Sequence, residues 1–339
     1  MAAAPCPLPR LPSDSKPDKV NASDTLHGTG RVSNPSSQPP PMNQSNPLRL
    51  HTLLGDHPIT LALKRGQVQS PHVFLEFADV KVPNTAFKRL VRNLEFDVSE
   101  LAIVTFLMAR AYGKPLVLLP AVVVSRFQHQ YLVYNAERGH LSPGDLAGRR
   151  VGIRSYSVTT AMWIRGILAE DYGVALDKVK WITFEEPHVA EYRDPPMVER
   201  APAGSDLMTM LLEGKLDAAV LAAPSTDPRI ETLIPDPAAA ARDWYKRNHV
   251  LQINHMVVVR DSLCRSDPRA VREVYRLLLE SKQAAPSIPE GEIDTTPFGL
   301  EANRHNLEVA IDHTYRQKLI PRAFAVDELF DAVTRSLGS

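Results

Sequence analysis

A cation, several hydroxyl groups and a predicted helix start are combined in the segment Arg154-Ser155-Tyr156-Ser157-Val158-Thr159-Thr160. This segment lies between the strand RVGI and the helix TAMWIRGILAEDYG, so free backbone N–H groups and the positive end of the helix dipole would face a ligand there. The guanidinium of Arg154 can make paired hydrogen bonds to a carboxylate, which a lysine does not match. The pattern predicts an anion-binding loop, and the alternative is that Ser157 or Thr159 only caps the helix.

The elements around this loop alternate between strand and helix signals. LRLHTLL and HVFLEFADV have the alternation or apolar density of strands, whereas NTAFKRLVRNLEF carries apolar residues at helical spacing. PLVLLPAVVV, KVKWITF and INHMVVV are typical of buried strands, the helix after RVGI ends at Gly173, and the chain from Asp267 onward is mostly helical in pattern. This alternation predicts a mainly parallel α/β sheet that binds ligands at the carboxyl ends of its strands.

Charge and cysteine content exclude several classes of protein. Lys plus Arg and Asp plus Glu number 39 each, so no net charge steers the chain toward nucleic acid or an anionic membrane. The two cysteines, Cys6 and Cys264, have no partner at metal-ligand spacing, which predicts reduced thiols without a zinc centre or a disulfide framework. We therefore expect no cofactor and no preformed metal site, and whether a divalent metal assists ligand binding is left open.

The first 47 residues are rich in Pro, Ser, Asn and Gln and predict a disordered leader, for which Met42 is an alternative start. They contain no apolar stretch of the kind a secretory signal needs, and no later apolar run is long enough to span a bilayer. The expected location is therefore the cytoplasm, without a membrane partner.

Several segments resemble the 4,5-dihydroxyphthalate decarboxylase family, which is related to the type II periplasmic binding proteins and to the pyrimidine-precursor (NMT1/THI5-like) branch. The segments are FDVSELAI, VTTAMWIRGILAEDYGV, EEPHVAEYRDPP, LEGKLDAAVLAAP and GLEANR, within about residues 48–335. The resemblance implies two α/β lobes with a ligand cleft and two hinge crossovers, near Val133–Leu141 and Val250–Asn254. Residues 48–134 and 253–339 would form one lobe, and residues 135–252 the other.

The family's reaction sets chemical requirements, because each carboxylate of a 4,5-dihydroxyphthalate lies para to a hydroxyl. A base must take the phenolic proton while an acid protonates the ring carbon that loses carbon dioxide. Histidine suits the acid role, and the candidates are His188, just after KVKWITF, and His255, in INHMVVV. Glu100, at the end of FDVSE and interpreted as entering a helix, is the candidate to accept the phenolic proton or bind the catechol; each of the three residues has an ordinary structural role as its alternative.

Further arginines follow predicted strands or match family segments. Arg126 and His129 come after PLVLLPAVVV and are secondary candidates for the second carboxylate. Arg304, with Asn303 in GLEANR, either reaches the cleft or braces the hinge, and bracing is the favoured interpretation. The substrate-binding candidates are thus Arg154, Ser155, Tyr156, Ser157, Thr159, Thr160, Arg126 and Arg304.

The predicted function is decarboxylation of 4,5-dihydroxyphthalate, or a closely related aromatic acid, to protocatechuate and carbon dioxide. The alternative is a non-catalytic solute-binding protein that uses the same cleft for a small carboxylate. A biosynthetic enzyme of the menaquinone or thiamine-precursor type is a third reading. The expected partner is a small aromatic dicarboxylate, and a homo-oligomer is left open.

Overall fold

The computed structural model describes residues 46–338. Its strands are β1 (Leu48–Leu53), β2 (Val73–Phe77), β3 (Val98–Ala102), β4 (Leu116–Ser125), β5 (Leu132–Asn135), β6 (Arg150–Ile153), β7 (Lys180–Thr183), β8 (Val198–Arg200), β9 (Ala218–Val220), β10 (Ile230–Thr232) and β11 (Ile253–Arg260). Its α-helices are α1 (Leu61–Lys64), α2 (Phe87–Asn93), α3 (Ile103–Ala111), α4 (Thr159–Tyr172), α5 (Leu207–Leu212), α6 (Pro237–Asn248), α7 (Asp261–Ser266), α8 (Pro268–Gln283), α9 (Leu300–Arg316) and α10 (Ala332–Arg335). Most of the predicted leader, including Cys6, lies outside the described residues, and none of the described helices has the length and hydrophobicity to cross a membrane.

The first sheet has the strand order β2-β1-β3-β11-β4. β1 runs parallel to β2 and to β3, whereas β11 runs antiparallel to both β3 and β4. Val257 lies opposite Glu100 and His255 lies opposite Ala102, so the start of β11 meets the carboxyl end of β3. This antiparallel register brings His255 to the edge of the sheet where β1 and β3 end.

The second sheet has the order β10-β5-β9-β6-β7-β8. β6 runs parallel to β7 and β9, and β7 runs parallel to β8, whereas β5 is antiparallel to its neighbours β9 and β10. In the part of the chain that the structure describes, the reversed strand of each sheet, β5 or β11, is the one the chain enters on crossing from the other sheet. Both sheets otherwise follow the parallel α/β pattern that the alternating elements predict.

Helices connect and cover the sheets. α3, which follows β3, packs against α4 of the second sheet, and α9 contacts both α3 and α4. Pro120 lies in the edge strand β4, where the register with β11 shifts between Leu118 and Val122, as is usual for a proline in a sheet. Its carbonyl accepts a hydrogen bond from Gly299 N at 2.8 Å. α9 therefore contacts one helix that follows a strand of the first sheet and one that follows a strand of the second.

Two details of the sequence analysis differ from the structure. Val133, expected in the first crossover, lies in β5, so the chain leaves the first sheet between Ser125 and Leu132. Glu100, expected at a helix start, lies inside β3, and α3 begins only at Ile103. The return to the first sheet falls between α6 and β11, close to the expected second crossover. The exact division of residues between the lobes stays a prediction.

Candidate active site

A cavity of about 240 Å³ lies where strands of both sheets end. The volume is small for a ligand pocket, which suits a small molecule. Its walls combine imidazole, guanidinium and apolar groups: His57, Asn84, Phe87, Ala102, Thr105, Val124, Arg126, Ile153, Arg154, Val158, Thr159, Thr160, Ala161, His188, Val220, Leu221, Ala222, Asn254 and His255. The position agrees with the expectation that ligands bind at the carboxyl ends of parallel strands.

Glu100 lies behind this wall and joins two of its histidines. Its Oε2 accepts hydrogen bonds from Gly55 N at 2.7 Å and from His57 Nε2 at 2.8 Å, and its Oε1 accepts one from His255 Nδ1 at 2.9 Å. The carboxylate is fully buried, whereas the side chains of His57 and His255 are 23% and 20% exposed. Glu100 therefore holds two cavity-facing imidazoles without lining the cavity itself, which corrects its expected role as a group that contacts substrate.

The protonation state of Glu100 follows from these contacts. Burial alone would raise the pKa of Glu100, but the hydrogen bonds and charges of His255 and His57 outweigh it and hold that pKa well below its usual value. An ionised carboxylate has no proton to donate, so His57 Nε2 and His255 Nδ1 must both be the donors. The tautomer of each ring is thereby fixed, as in other carboxylate–histidine pairs.

The loop after β1 depends on a glycine at position 55. A Cβ atom added there would lie 2.7 Å from His57 Nε2 and 3.0 Å from Glu100 Oε2. Those approaches are shorter than normal van der Waals contacts, so a larger residue would displace the imidazole or the carboxylate. Thr60 fixes the other side of the loop, because its Oγ1 accepts from His57 N at 3.0 Å and donates to Gly55 O at 2.7 Å.

His188 reaches the cavity from the second sheet, after β7. A hydrogen bond of 2.9 Å joins its Nδ1 to Thr105 Oγ1 in the first turn of α3. Its ring packs edge-to-face against Phe87, which packs in the same way against His255. Burial, followed by the positive charges of Arg154, Lys88 and Arg92, lowers the pKa of His188 to about 3. The ring is therefore neutral at physiological pH until negative charge enters the site.

Only some residues of the predicted anion loop line the cavity. Thr159 and Thr160 line the cavity with the first turn of α4, and Arg154 lines it from the end of β6. No side chain caps this helix, so the amides of its first turn keep hydrogen-bonding capacity for an anion. The guanidinium of Arg154 donates to Glu185 Oε2 at 3.0 Å, so a ligand carboxylate would share it with that side chain.

The other three loop residues point elsewhere. Ser155 and Ser157 are buried and hydrogen-bond each other, with 3.2 Å between their Oγ atoms. Tyr156 is a core residue, with the guanidinium of Arg165 stacked 3.8 Å from its ring centroid. The side chains of Ser155, Tyr156 and Ser157 are thus absent from the cavity wall, because a buried turn must satisfy its hydroxyls and fill the core behind α4. Binding of a carboxylate by the backbone amides of this loop stays a prediction.

Arg126 and Asn254 bring the two crossovers to the cavity. Arg126 Nη2 donates to Ala222 O at 2.8 Å, and its guanidinium lies 4.2 Å from the ring centroid of Tyr131. Its Nε is buried without a hydrogen-bond partner among the described residues, and the side chain lines the cavity. Asn254 Oδ1 accepts from Gln128 Nε2 at 2.6 Å and so links the first crossover to the start of β11.

Arg304 does not reach the cavity. It lies on α9, where its guanidinium donates to Glu301 Oε1 at 2.7 Å and to Asp327 Oδ2 at 3.0 Å. Its companion Asn303 donates to the carbonyls of Pro297 and Gly299. Arg304 therefore joins α9 to the turn Val326–Leu329 and lies outside the cavity at which it was expected to bind substrate. His129 is also outside the cavity wall; it is buried, with a pKa lowered to about 4 by that burial.

Sequence reasoning missed His57, Asn84, Phe87, Thr105 and Asn254, which the structure adds to the cavity wall. His57 lies two residues after a glycine that follows a strand, and this spacing was the available signal for a residue at a strand's carboxyl end. For residues 46–338, no group of three or more His, Cys, Asp and Glu side chains is arranged to hold a metal ion. The expected absence of a cofactor stays a prediction.

The chain's two-sheet architecture has solved counterparts. The periplasmic aliphatic sulphonate binding protein SsuA from Escherichia coli matches 84% of this chain and 97% of its own, with a TM-score of 0.54 and 13% identity. A desulfurization enzyme, DSZB, matches 85% of this chain and 97% of its own, with a TM-score of 0.50 and 13% identity. The chain therefore has the two-lobed fold of the periplasmic binding proteins, with its cleft between lobes.

Sequence comparison identifies the family of this chain among proteins with the periplasmic-binding-protein fold. The 4,5-dihydroxyphthalate decarboxylase of Pseudomonas putida is 31% identical over 214 residues, which are 59% of this chain and 83% of the relative. The decarboxylase of the same name from Comamonas testosteroni is 28% identical over 257 residues, or 70% of this chain and 76% of the relative. No protein-family model matches the chain. The chain belongs to the 4,5-dihydroxyphthalate decarboxylase family.

Proposed function

We propose that this protein decarboxylates 4,5-dihydroxyphthalate, or a closely related hydroxylated aromatic acid, to protocatechuate and carbon dioxide. The observation that carries the proposal is a cavity that combines carboxylate-oriented imidazoles with two guanidinium groups, in a chain of this family. A catechol needs proton acceptors and a phthalate needs cations, and the cavity wall offers both.

The two carboxylates would bind at the cationic side of the cavity. Arg126 and Arg154 both line the cavity, and the start of α4 adds the positive end of a helix dipole. Guanidinium–carboxylate hydrogen bonds are charge-assisted and geometrically selective. Binding at this side leaves the hydroxyl groups for the imidazoles that Glu100 orients.

The reaction would begin at the hydroxyl para to the departing carboxylate. His255, with its Nδ1 hydrogen bonded to Glu100, takes the phenolic proton, and the charge of Glu100 compensates the positive charge that the ring gains. His57, held by the same carboxylate, hydrogen-bonds the adjacent hydroxyl. Electron density from the phenolate then moves to the ring carbon that bears the carboxylate.

That ring carbon needs a proton, and His188 is the donor we propose. In the free protein its pKa is about 3 because of burial and nearby cations, so it arrives neutral. Two substrate carboxylates would offset those cations and raise the pKa of His188, so that it takes up a proton as the substrate binds. Transfer of this proton to the ring carbon is followed by cleavage of the carbon–carboxylate bond, whose electron pair restores the aromatic ring and the phenolate as carbon dioxide leaves. His255 then returns its proton to that phenolate.

The competing function is solute binding without catalysis, which the structural likeness to the sulphonate binding protein favours. Incubating the purified chain with 4,5-dihydroxyphthalate and following protocatechuate by chromatography separates the two. Product formation that His255→Ala abolishes would support the decarboxylase. A ligand-induced rise in melting temperature without product would support binding alone, and neither result would remove this substrate class.

A further inference from the structure

The loop that carries His188 belongs to the second lobe but is held by the first. We define the His188 loop as residues 184–197, between β7 and β8. Arg92, in the last turn of α2, donates from Nε to His188 O and from Nη2 to Pro187 O, both at 2.9 Å. Two consecutive carbonyls of the loop are thus gripped by one guanidinium from the opposite lobe.

Arg92 does not line the cavity, and its nearest carboxylate oxygen, on Glu186, is 3.9 Å away. Its hydrogen bonds therefore go to the loop backbone rather than to a ligand or an ion pair. The side chain of His188 lines the cavity. Thr105 forms a hydrogen bond with its ring, and Phe87 packs edge-to-face against it. Backbone and side chain of His188 are consequently fixed by three residues of the first lobe.

We propose that Arg92 is a positioning residue that sets the location of the His188 ring at the reacting carbon by clamping the backbone of residues 187 and 188 across the cleft. This inference rests on the proposed function, in which His188 delivers a proton. The planar fork of arginine matches two adjacent carbonyls, whereas lysine keeps the charge but not the fork. A small displacement of a proton donor is costly, because misplacement by about 1 Å can reduce a rate about 100-fold.

The chain provides a matched control at the other end of the same loop. Lys114 Nζ, also from the first lobe, donates to Glu191 Oε1 at 2.6 Å. Lys114→Met breaks a cross-lobe contact of the His188 loop without touching His188. A general need for lobe closure would make Lys114→Met and Arg92→Met alike, whereas a positioning role for Arg92 makes them differ.

The kinetic test compares Arg92→Met, Arg92→Lys and Lys114→Met with 4,5-dihydroxyphthalate as substrate. We expect kcat to fall about 10- to 100-fold in Arg92→Met, by less in Arg92→Lys, and to stay within about twofold in Lys114→Met, with KM nearly unchanged in all three. In a His188→Gln background, adding Arg92→Met should cost less than about twofold, since the two residues act as a unit. Equal losses in the two methionine variants, or a fully multiplicative double variant, would overturn the proposal.

A second readout is independent of turnover. The His188 ring lies against Phe87 with 5.7 Å between ring centroids, so its carbon-bound protons should show ring-current shifts in NMR spectra, assigned through His188→Gln. Arg92→Met should return those shifts toward free-histidine values, while Lys114→Met should leave them in place. Wild-type protein without decarboxylase activity would end the proposed function, whereas unchanged His188 signals in Arg92→Met would end the positioning role.

Discussion

Replacing Glu100 with glutamine removes a negative charge from a completely buried side chain that accepts three hydrogen bonds. The amide keeps one acceptor oxygen and turns the other into a donor. Every group that faces it, the amide of Gly55 and the rings of His57 and His255, is also a donor. In at least one of these contacts the new amide N–H group would therefore face another hydrogen-bond donor. The alternative is that one imidazole changes its tautomer or rotates.

The size of the effect follows from these contacts. One buried donor left unsatisfied costs about 1–3 kcal/mol, so the free energy of unfolding of Glu100→Gln should fall by about that amount. Turnover should fall about 10²–10⁴-fold, the range of acid–base assistance, because His255 loses both its orientation and its compensating charge. KM should change little, since Glu100 is not in the cavity wall.

The assay pairs steady-state formation of protocatechuate with urea unfolding. Glu76→Gln is the matched control, because Glu76 lies on β2 of the same sheet and forms an exposed ion pair with Arg49 at 3.3 Å, a type of contact worth about 0–1 kcal/mol. If Glu100→Gln loses stability but keeps kcat within about threefold of wild type, Glu100 does not act through the histidines. Unchanged stability would contradict the hydrogen bonds themselves.

Four further outcomes are expected. Gly55→Ala should lower kcat at least about tenfold, because its Cβ would lie 2.7 Å from His57 Nε2; wild-type kinetics would contradict this geometry. Substrate binding should take up as much as about one proton at neutral pH, as His188 gains charge, and calorimetry in buffers of different ionisation enthalpy measures it; zero uptake would remove His188 as the acid. Without substrate, His188 binds a proton more readily in the unfolded chain than in the folded one. The free energy of unfolding should therefore be highest above about pH 6.5 and fall as pH drops toward 3. His188→Gln should flatten this pH dependence, as measured by urea unfolding. Arg126→Met should raise KM about tenfold or more, whereas Arg304→Met should leave both kinetic constants near wild type; equal effects would mean that Arg126 does not bind substrate.

Local sequence patterns determined the elements around the site. The apolar density of PLVLLPAVVV and INHMVVV predicts β4 and β11, and Gly173 ends α4 with φ of 63°, as the left-handed cap requires. The strand-to-helix segment after RVGI predicted Arg154, Thr159 and Thr160 as substrate-binding residues. All three line the cavity, and their role in binding stays a prediction. These features depend on neighbours within a few residues, which a single sequence displays.

The GLEANR segment shows the limit of such local patterns. Glu301 and Arg304 are three residues apart on one helix, a spacing that favours an ion pair on the helix itself. Bracing of the hinge was the favoured interpretation for Arg304, whereas the structure joins it to Glu301 and to Asp327 in the turn Val326–Leu329. Tyr156 was predicted to belong to the anion loop because it lies between a strand and a helix. Its ring is buried in the core, where the guanidinium of Arg165, nine residues later, stacks on it.

Only the tertiary structure decided what Glu100 does. Strand alternation can say that a residue faces inward, but it cannot say which residue of a distant strand lies beside it. The pairing of β11 with β3 brings together residues 155 positions apart, and the loop after β1 adds His57, 43 positions away. The sequence by itself predicted most of the strands, the loop before α4 and two of the three histidines that line the cavity. Contacts between distant segments create the carboxylate shared by two histidines, the third histidine and the hydrogen bonds from Arg92 to the His188 loop. These contacts stabilise the site only after the sheets have formed, so no local pattern displays them.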